Sequence, residues 1–213
     1  MARNSSGVLG NFIGTIGPVT GFMRNGQNLL RSSTSSVRNQ RTPLQPAQRG
    51  RINLCTGFIK AFSGTGFLNK SFPPYGHRGT GYNRAVSALM SRAIKSIYPD
   101  MQLNYQQVLI SKGRLPVALS AKVVKKPGNI LQFSFADNST DGMASPDDTV
   151  ILVAYAPDLQ QAVFTLKGGL RKDKKAILNV TGLKGHTVET WMGFLSPDEM
   201  DSSESLYTGS VIL

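Results

Sequence analysis

A chain of 213 residues, 40% hydrophobic and 17% charged, carries enough apolar side chains for a core and too few charges for wholesale disorder. Its one cysteine, Cys55, excludes an internal disulfide, and no apolar run approaches the ~18 residues of a membrane-spanning helix. The charge is divided: no acidic residue precedes Asp100, so thirteen Lys and Arg give residues 1–99 a charge of +13, whereas residues 100–213 sum to −1 within the total of +12. Such asymmetry points to a polyanionic partner or to a protein surface of opposite sign, and it names no reaction.

Residues 1–41 open with Gly at 7, 10, 14, 17 and 21. On a helix this spacing presents a small-residue face, but Pro18 and the β-branched and aromatic neighbours favour an irregular extended arm. The same glycines argue against an organelle transit peptide, because each costs a helix about 1 kcal/mol. No secretory leader pattern is present either, and the expectation is a soluble protein, cytoplasmic when made. Val8, Leu9, Phe12, Ile13, Ile16, Val19 and Phe22 have no domain of their own, so they need the rest of the chain or another copy to bury against.

From Asn25 the composition turns polar, with Arg24, Arg31, Arg38 and Arg41 set among Ser, Thr, Asn and Gln, as in a linker or a backbone-tracking arm. Thr42-Pro43 reads as the N-cap and first position of a helix running to about Phe62. Ile52, Cys55 and Ile59 mark its apolar side, with Leu54, Phe58 and Phe62 adjoining. Residues 64–81 read as a turn-rich loop. Asn83 then caps a second helix to about Tyr98, with Val86, Leu89, Met90, Ala93 and Ile97 inward and Pro99 as its stop. Residues 42–100 are thus expected to form a basic helical segment.

After Asp100 alternation replaces the helical period, and the spacing predicts strands at 103–111, 115–124, 130–136, 149–156, 162–167, 175–180, 187–195 and 206–213. Seven or eight short strands predict a β-sandwich over residues 101–213, so the chain as a whole is mainly β with a helical N-terminal part. The runs ILQFSFADNS, AILNVTGLKGHTVETWMGFLSPD and SLYTGSVIL resemble the strand order of a fibronectin type III or immunoglobulin-like module, with Glu189 standing where such modules place a tyrosine.

A wider resemblance rests on the Gly-rich opening, Arg31-Ser32, Arg41-Thr42-Pro43-x-Gln45, Gly81-Tyr82-Asn83-x-Ala85, Ser111-Lys112-Gly113 and Asp137-Asn138-Ser139. Across nearly all of its length the chain resembles an uncharacterised bacterial family, found chiefly in Bacteroidota and known only as a domain of unknown function. The resemblance implies no activity. It does imply that arm and sandwich form one inherited unit.

Few residues offer chemistry. His77, His186 and Cys55 do not have zinc-ligand spacing. Gly76-His77-Arg78-Gly79-Thr80-Gly81 ahead of a helix could present amides to a phosphate, but no strand precedes it and no Lys-Ser or Lys-Thr follows, which favours an ordinary loop. Counting from Asp137, oxygen donors fall at positions 1, 3, 5 and 12 as Asp137, Ser139, Asp141 and Asp148, with Gly142 at position 6, an echo of a calcium loop. Asp at the last position and flanking strands favour a polar turn. No nucleophile motif stands out, and no catalytic residue, metal or cofactor is expected. Candidate anion contacts are Arg24, Arg31, Arg38, Arg41, Arg49, Arg51, Arg78 and Arg84, whose guanidinium groups can grip phosphate bidentately, with Phe67, Phe72, Tyr75 and Tyr82 near enough in sequence for base stacking. The leading expectation is a non-enzymatic structural protein that self-assembles, as filament, tube or particle shell, through its arm. The alternative is a nucleic-acid-binding protein that tracks phosphates without reading sequence.

Overall fold

A computed structural model of the chain describes residues 3–4, 11–24, 26–33, 42–63, 66–76 and 79–213, which fall into two units, Met1–Thr42 and Pro43–Leu213. In the first unit, β1 (Arg3–Asn4), β2 (Phe12–Ile16), β3 (Val19–Arg24) and β4 (Gln27–Ser32) form an antiparallel meander in chain order. Paired strands therefore stand where an irregular arm is expected, because the glycines serve the pairing. Gly17, at φ 54°, sits in the two-residue loop between Ile16 and Val19. A Cβ on Gly21 would lie 2.4 Å from the Phe12 carbonyl oxygen and 2.8 Å from its ring, so the Phe12 side chain covers the β3 backbone at that point.

The second unit opens with α1 (Leu44–Lys60), α2 (Phe67–Ser71) and α3 (Gly81–Arg92), followed by the short pair β5 (Ile94–Lys95) and β6 (Gln102–Leu103). Pro43 is the N-cap of α1, one residue later than the Thr42-Pro43 pattern suggests, and it makes no side-chain cap bond. Within α1, Cys55, Phe58 and Ile59 are buried as the spacing predicts, whereas Ile52 stays 39% exposed. The cap of α3 is Thr80, whose Oγ1 accepts the Asn83 N–H at 3.3 Å, which places Asn83 inside the helix. The helix also stops at Arg92, before the expected Tyr98, because Ile94 pairs with Leu103; Ile97 is 87% exposed. The strand expected at 103–111 is a 3-10 turn at Tyr105–Gln107 and an irregular stretch that buries Val108 and Ile110.

The remaining strands are β7 (Leu119–Lys126), β8 (Ile130–Ala136), β9 (Thr149–Ala156), β10 (Gln161–Thr165), β11 (Lys175–Asn179), β12 (Thr187–Leu195) and β13 (Leu206–Ile212). Their antiparallel sheets have the orders β11-β8-β7 and β10-β9-β12-β13, so the chain is mainly β, with a sandwich-like body. The fourth of these seven strands joins the third, sixth and seventh, whereas in a constant-type immunoglobulin sandwich it joins the first, second and fifth. Leu131, Phe133 and Leu178 of the smaller sheet pack with Val150, Leu152, Val188, Met192 and Phe194 of the larger.

The larger sheet has a second buried face. Ile151, Val153, Tyr155 and Trp191 point to a second cluster with Cys55, Phe58, Ile59 and Phe62 of α1 and its C-terminal turn, and with Leu89 of α3. Residues 150–156 are consequently buried without interruption, and their sequence, VILVAYA, shows no alternation. The helical segment and the sandwich thus share a core, and the change at Asp100 is a change of secondary structure inside Pro43–Leu213.

A charged group is also enclosed. Arg171, with no exposed surface, sends Nε to Asp148 Oδ2 at 3.0 Å, Nη1 to Asn138 Oδ1 at 2.6 Å and Nη2 to the Pro116 carbonyl at 3.2 Å, with its guanidinium 3.6 Å from the Phe194 ring centre. Removing one member of such a pair strands the other charge. Arg171→Met should lower the unfolding free energy in urea by ~3–5 kcal/mol, and adding Asp148→Leu should recover most of the loss. A second expectation concerns pH. Burial, reinforced by the neighbouring Tyr105, pushes the Tyr155 phenol from 10 up to about 12. A raised pKa means that the folded chain holds this proton more tightly than the unfolded one. The contribution is complete below pH 10 and is lost as pH rises towards 12. Over that interval the urea midpoint of the native protein should fall relative to that of Tyr155→Phe.

Candidate assembly surface

The sheet β1–β4 leaves its apolar side chains uncovered. Residues paired across antiparallel strands share a face, so Phe12, Ile16, Val19, Met23 and Leu30 lie on one side and Ile13, Phe22 and Leu29 on the other. Ile16 is 58% exposed, Leu30 61% and Ile13 55%. Among the described residues of this unit outside β1, only Gly21 is buried. The Asn28 side-chain amide donates to the Phe12 carbonyl at 3.3 Å, and Arg31 lies 5.6 Å from the Phe22 ring centre. β4 forms one edge of the sheet, with neither Lys nor Pro to blunt it. Val8 and Leu9 of the expected assembly set lie outside the described residues.

The candidate anion contacts do not share one setting. Arg24 and Arg31 belong to this sheet, and Arg38, Arg41 and Arg78 lie outside the described residues. Arg49 and Arg51 are exposed on α1, where Arg51 Nη2 donates to the Met90 carbonyl at 3.3 Å and ties α1 to α3. Arg84 is committed to the backbone: Nε and Nη2 donate to the Phe72 carbonyl at 2.7 and 2.5 Å, and Nη1 to the Gly79 carbonyl at 2.9 Å. Burial pushes its pKa down. Base stacking on Phe67 or Phe72 is also closed off, since both rings are core. Two of the first amides of α3 are taken as well, Gly81 N–H by Asn69 Oδ1 at 3.0 Å and Asn83 N–H by Thr80, in keeping with the ordinary loop that the sequence favours over a phosphate cradle; His77 and Arg78 lie outside the described residues.

Several oxygens of residues 137–148 are held by protein partners, although the buried Asp148 Oδ1 has none among the described residues. Asp148 bonds Arg171 and the Ser145 N–H, Asp137 accepts the Ser139 N–H at 3.1 Å and lies 3.7 Å from Lys174 Nζ, and Asn138 clamps Val117. Among the described residues no three His, Cys, Asp or Glu side chains converge as a metal cage. The loop is a polar turn pinned by a buried arginine. Spacing gave no sign of that arginine, which stands in the surface-like run LRKDKK.

The acid-free first half meets carboxylates of its own chain. Lys70 pairs with Glu199 at 2.5 Å and Arg92 with Glu204 at 2.9 Å, and beyond that half Arg114 pairs with Asp201 at 3.3 Å, all three acids coming from the β12–β13 connection. Asp201 also takes the Tyr75 hydroxyl and the backbone N–H groups of Arg114 and Ser202. Part of the charge asymmetry is therefore answered inside Pro43–Leu213, by a surface of opposite sign.

No helix is long and apolar enough to cross a membrane among the described residues. A search of curated proteins found no match. Residues 11–209, which take in three strands of the N-terminal sheet, the helices and nearly all of the sandwich, match one family as a whole. The chain belongs to DUF6266, a family of unknown function.

Proposed function

We propose that this protein is a non-enzymatic structural subunit that associates with copies of itself through the sheet β1–β4, building a filament, tube or particle shell. The carrying observation is that this sheet exposes apolar residues on both faces and buries only Gly21 among the residues described outside β1. A small sheet needs an apolar face covered to be stable in water, and each large apolar side chain removed from water contributes ~1.5–3 kcal/mol. A second copy offers the same apolar face and the same open β4 edge, and a contact of two different patches would propagate instead of closing.

The test is the mass of the purified chain by size-exclusion chromatography with light scattering, in low and high salt and with nuclease. A large particle should persist in high salt and after nuclease, and should fall to monomer in Ile16→Lys/Leu30→Lys and on deletion of residues 1–41. A monomeric native chain that copurifies with nuclease-sensitive material and releases it in high salt would overturn this reading in favour of phosphate tracking.

A further inference from the structure

Within Pro43–Leu213 a cleft of about 440 Å³ lies between α3, residues 72–75 and the strap of residues 112–114. Three cationic side chains line it, Arg84, Lys112 and Arg114, and no carboxylate does. Neither Arg84 nor Lys112 has an ion-pair partner among the described residues. Arg84 is half-buried with carbonyl oxygens as the partners of three of its N–H groups, which leave its charge uncompensated.

The strap is fixed before any ligand arrives. A Cβ on Gly113 would stand 1.9 Å from the Ser202 carbonyl oxygen and 2.4 Å from the Tyr75 hydroxyl, so only glycine fits, and the flanking cations emerge from a rigid point. The Lys112 N–H donates to the Ser71 carbonyl at 2.9 Å. The Arg114 guanidinium lies 4.2 Å from the Tyr75 ring centre with Nε towards Asp201, yet its side chain is 64% exposed. On the opposite wall Ser87 and Ser91 follow Arg84 at helical spacing, and the Ser87 hydroxyl is exposed. Pro74 and Ala88 supply an apolar wall.

We propose that this cleft binds an organic phosphate monoester, with the phosphate between Lys112, Arg114 and the Ser87 hydroxyl, Arg84 supplying positive potential behind them, and the organic group against Pro74 and Ala88. A dianion matches three cations that share one acid neighbour, Asp201 at Arg114, better than one carboxylate does, and a fixed strap backbone spends nothing on ordering the loop that carries two of them. The proposal stands apart from self-association.

Isothermal titration of the full chain with phenyl phosphate, inorganic phosphate and benzoate tests it. Phenyl phosphate should bind saturably and more tightly than either of the others. Lys112→Ala/Arg114→Ala should weaken it at least about tenfold, and Lys184→Ala, on a distant loop, should leave it unchanged. Because Arg114 also contacts Asp201, Ser87→Asp provides a second variant, which adds a negative charge to the cleft and removes no packed contact; it should abolish binding with Trp191 fluorescence unaltered. Absent saturation, equal affinity in Lys112→Ala/Arg114→Ala or Ser87→Asp, or inorganic phosphate binding as tightly as phenyl phosphate would overturn the proposal.

Discussion

Seven consecutive buried residues in β9 leave that strand no solvent face, and the architecture of Pro43–Leu213 follows from what covers its two sides. Even-numbered side chains, from Val150 to Ala156, enter the sandwich, while Ile151, Val153 and Tyr155 meet the helices. Its neighbour β12 divides in the same way, with Met192 and Phe194 inward and Trp191 outward. Phe58 stands 4.8 Å from the Tyr155 ring centre and 6.1 Å from that of Trp191, so α1 docks through aromatic edges on the outer face of the sheet. Without residues 42–100 that face would present Ile151, Val153, Tyr155 and Trp191 to water, a patch that soluble sheets rarely leave uncovered.

The charge pattern takes its meaning from this docking. A helical layer that lies beside the acids of the β12–β13 connection gains nothing from acids of its own, and Lys70 and Arg92 find their partners there, as does Arg114 of the strap that follows. Exposed pairs of this kind contribute ~0–1 kcal/mol each, so the apolar seam binds the layer and the ion pairs set its orientation. Asp201 is the exception: its side chain is only 11% exposed, and it joins the 75, 114 and 202 segments through hydrogen bonds, beside the Leu115 N–H donating to the Ser202 carbonyl at 3.0 Å. The rigidity of the Lys112-Gly113-Arg114 strap rests on that junction.

How far the fold could be read from the sequence depended on whether one local signal acted alone. The alternating period and the turn residues between strands placed Ile130–Ala136, Thr149–Ala156 and Thr187–Leu195 at their observed limits. The run VILVAYA within Thr149–Ala156 departs from the alternation of a half-exposed antiparallel strand, and the helical layer on its outer face accounts for the departure. Ile97 was misleading because helical spacing continues past Arg92, where pairing of Ile94 with Leu103 ends the helix; a contact between chain-distant residues overrode a local period. In the N-terminal unit glycine at every third or fourth position hid the alternation of β2 and β3, although Asn25-Gly26 is a strong hairpin signal. Arg171 and the cationic cleft had no local signature, the first because a buried arginine reads like a surface one, the second because its walls come from three separate segments.

The N-terminal sheet poses a different energetic problem from the sandwich. Ordering glycines costs more backbone entropy than ordering any other residue, and a sheet that buries so little of itself has little hydrophobic gain to set against that cost. The balance has to come from burial outside the sheet, and on the proposed reading it comes from a second copy, which makes the folding of these strands and association one concentration-dependent event. Copies that each carry +12 repel one another at long range. Added salt screens that repulsion and leaves apolar burial intact, so association through Ile16, Met23 and Leu30 strengthens with salt, whereas a complex held by phosphate contacts weakens. The two kinds of partner that a basic, glycine-rich N-terminus could serve therefore respond to one variable with opposite sign.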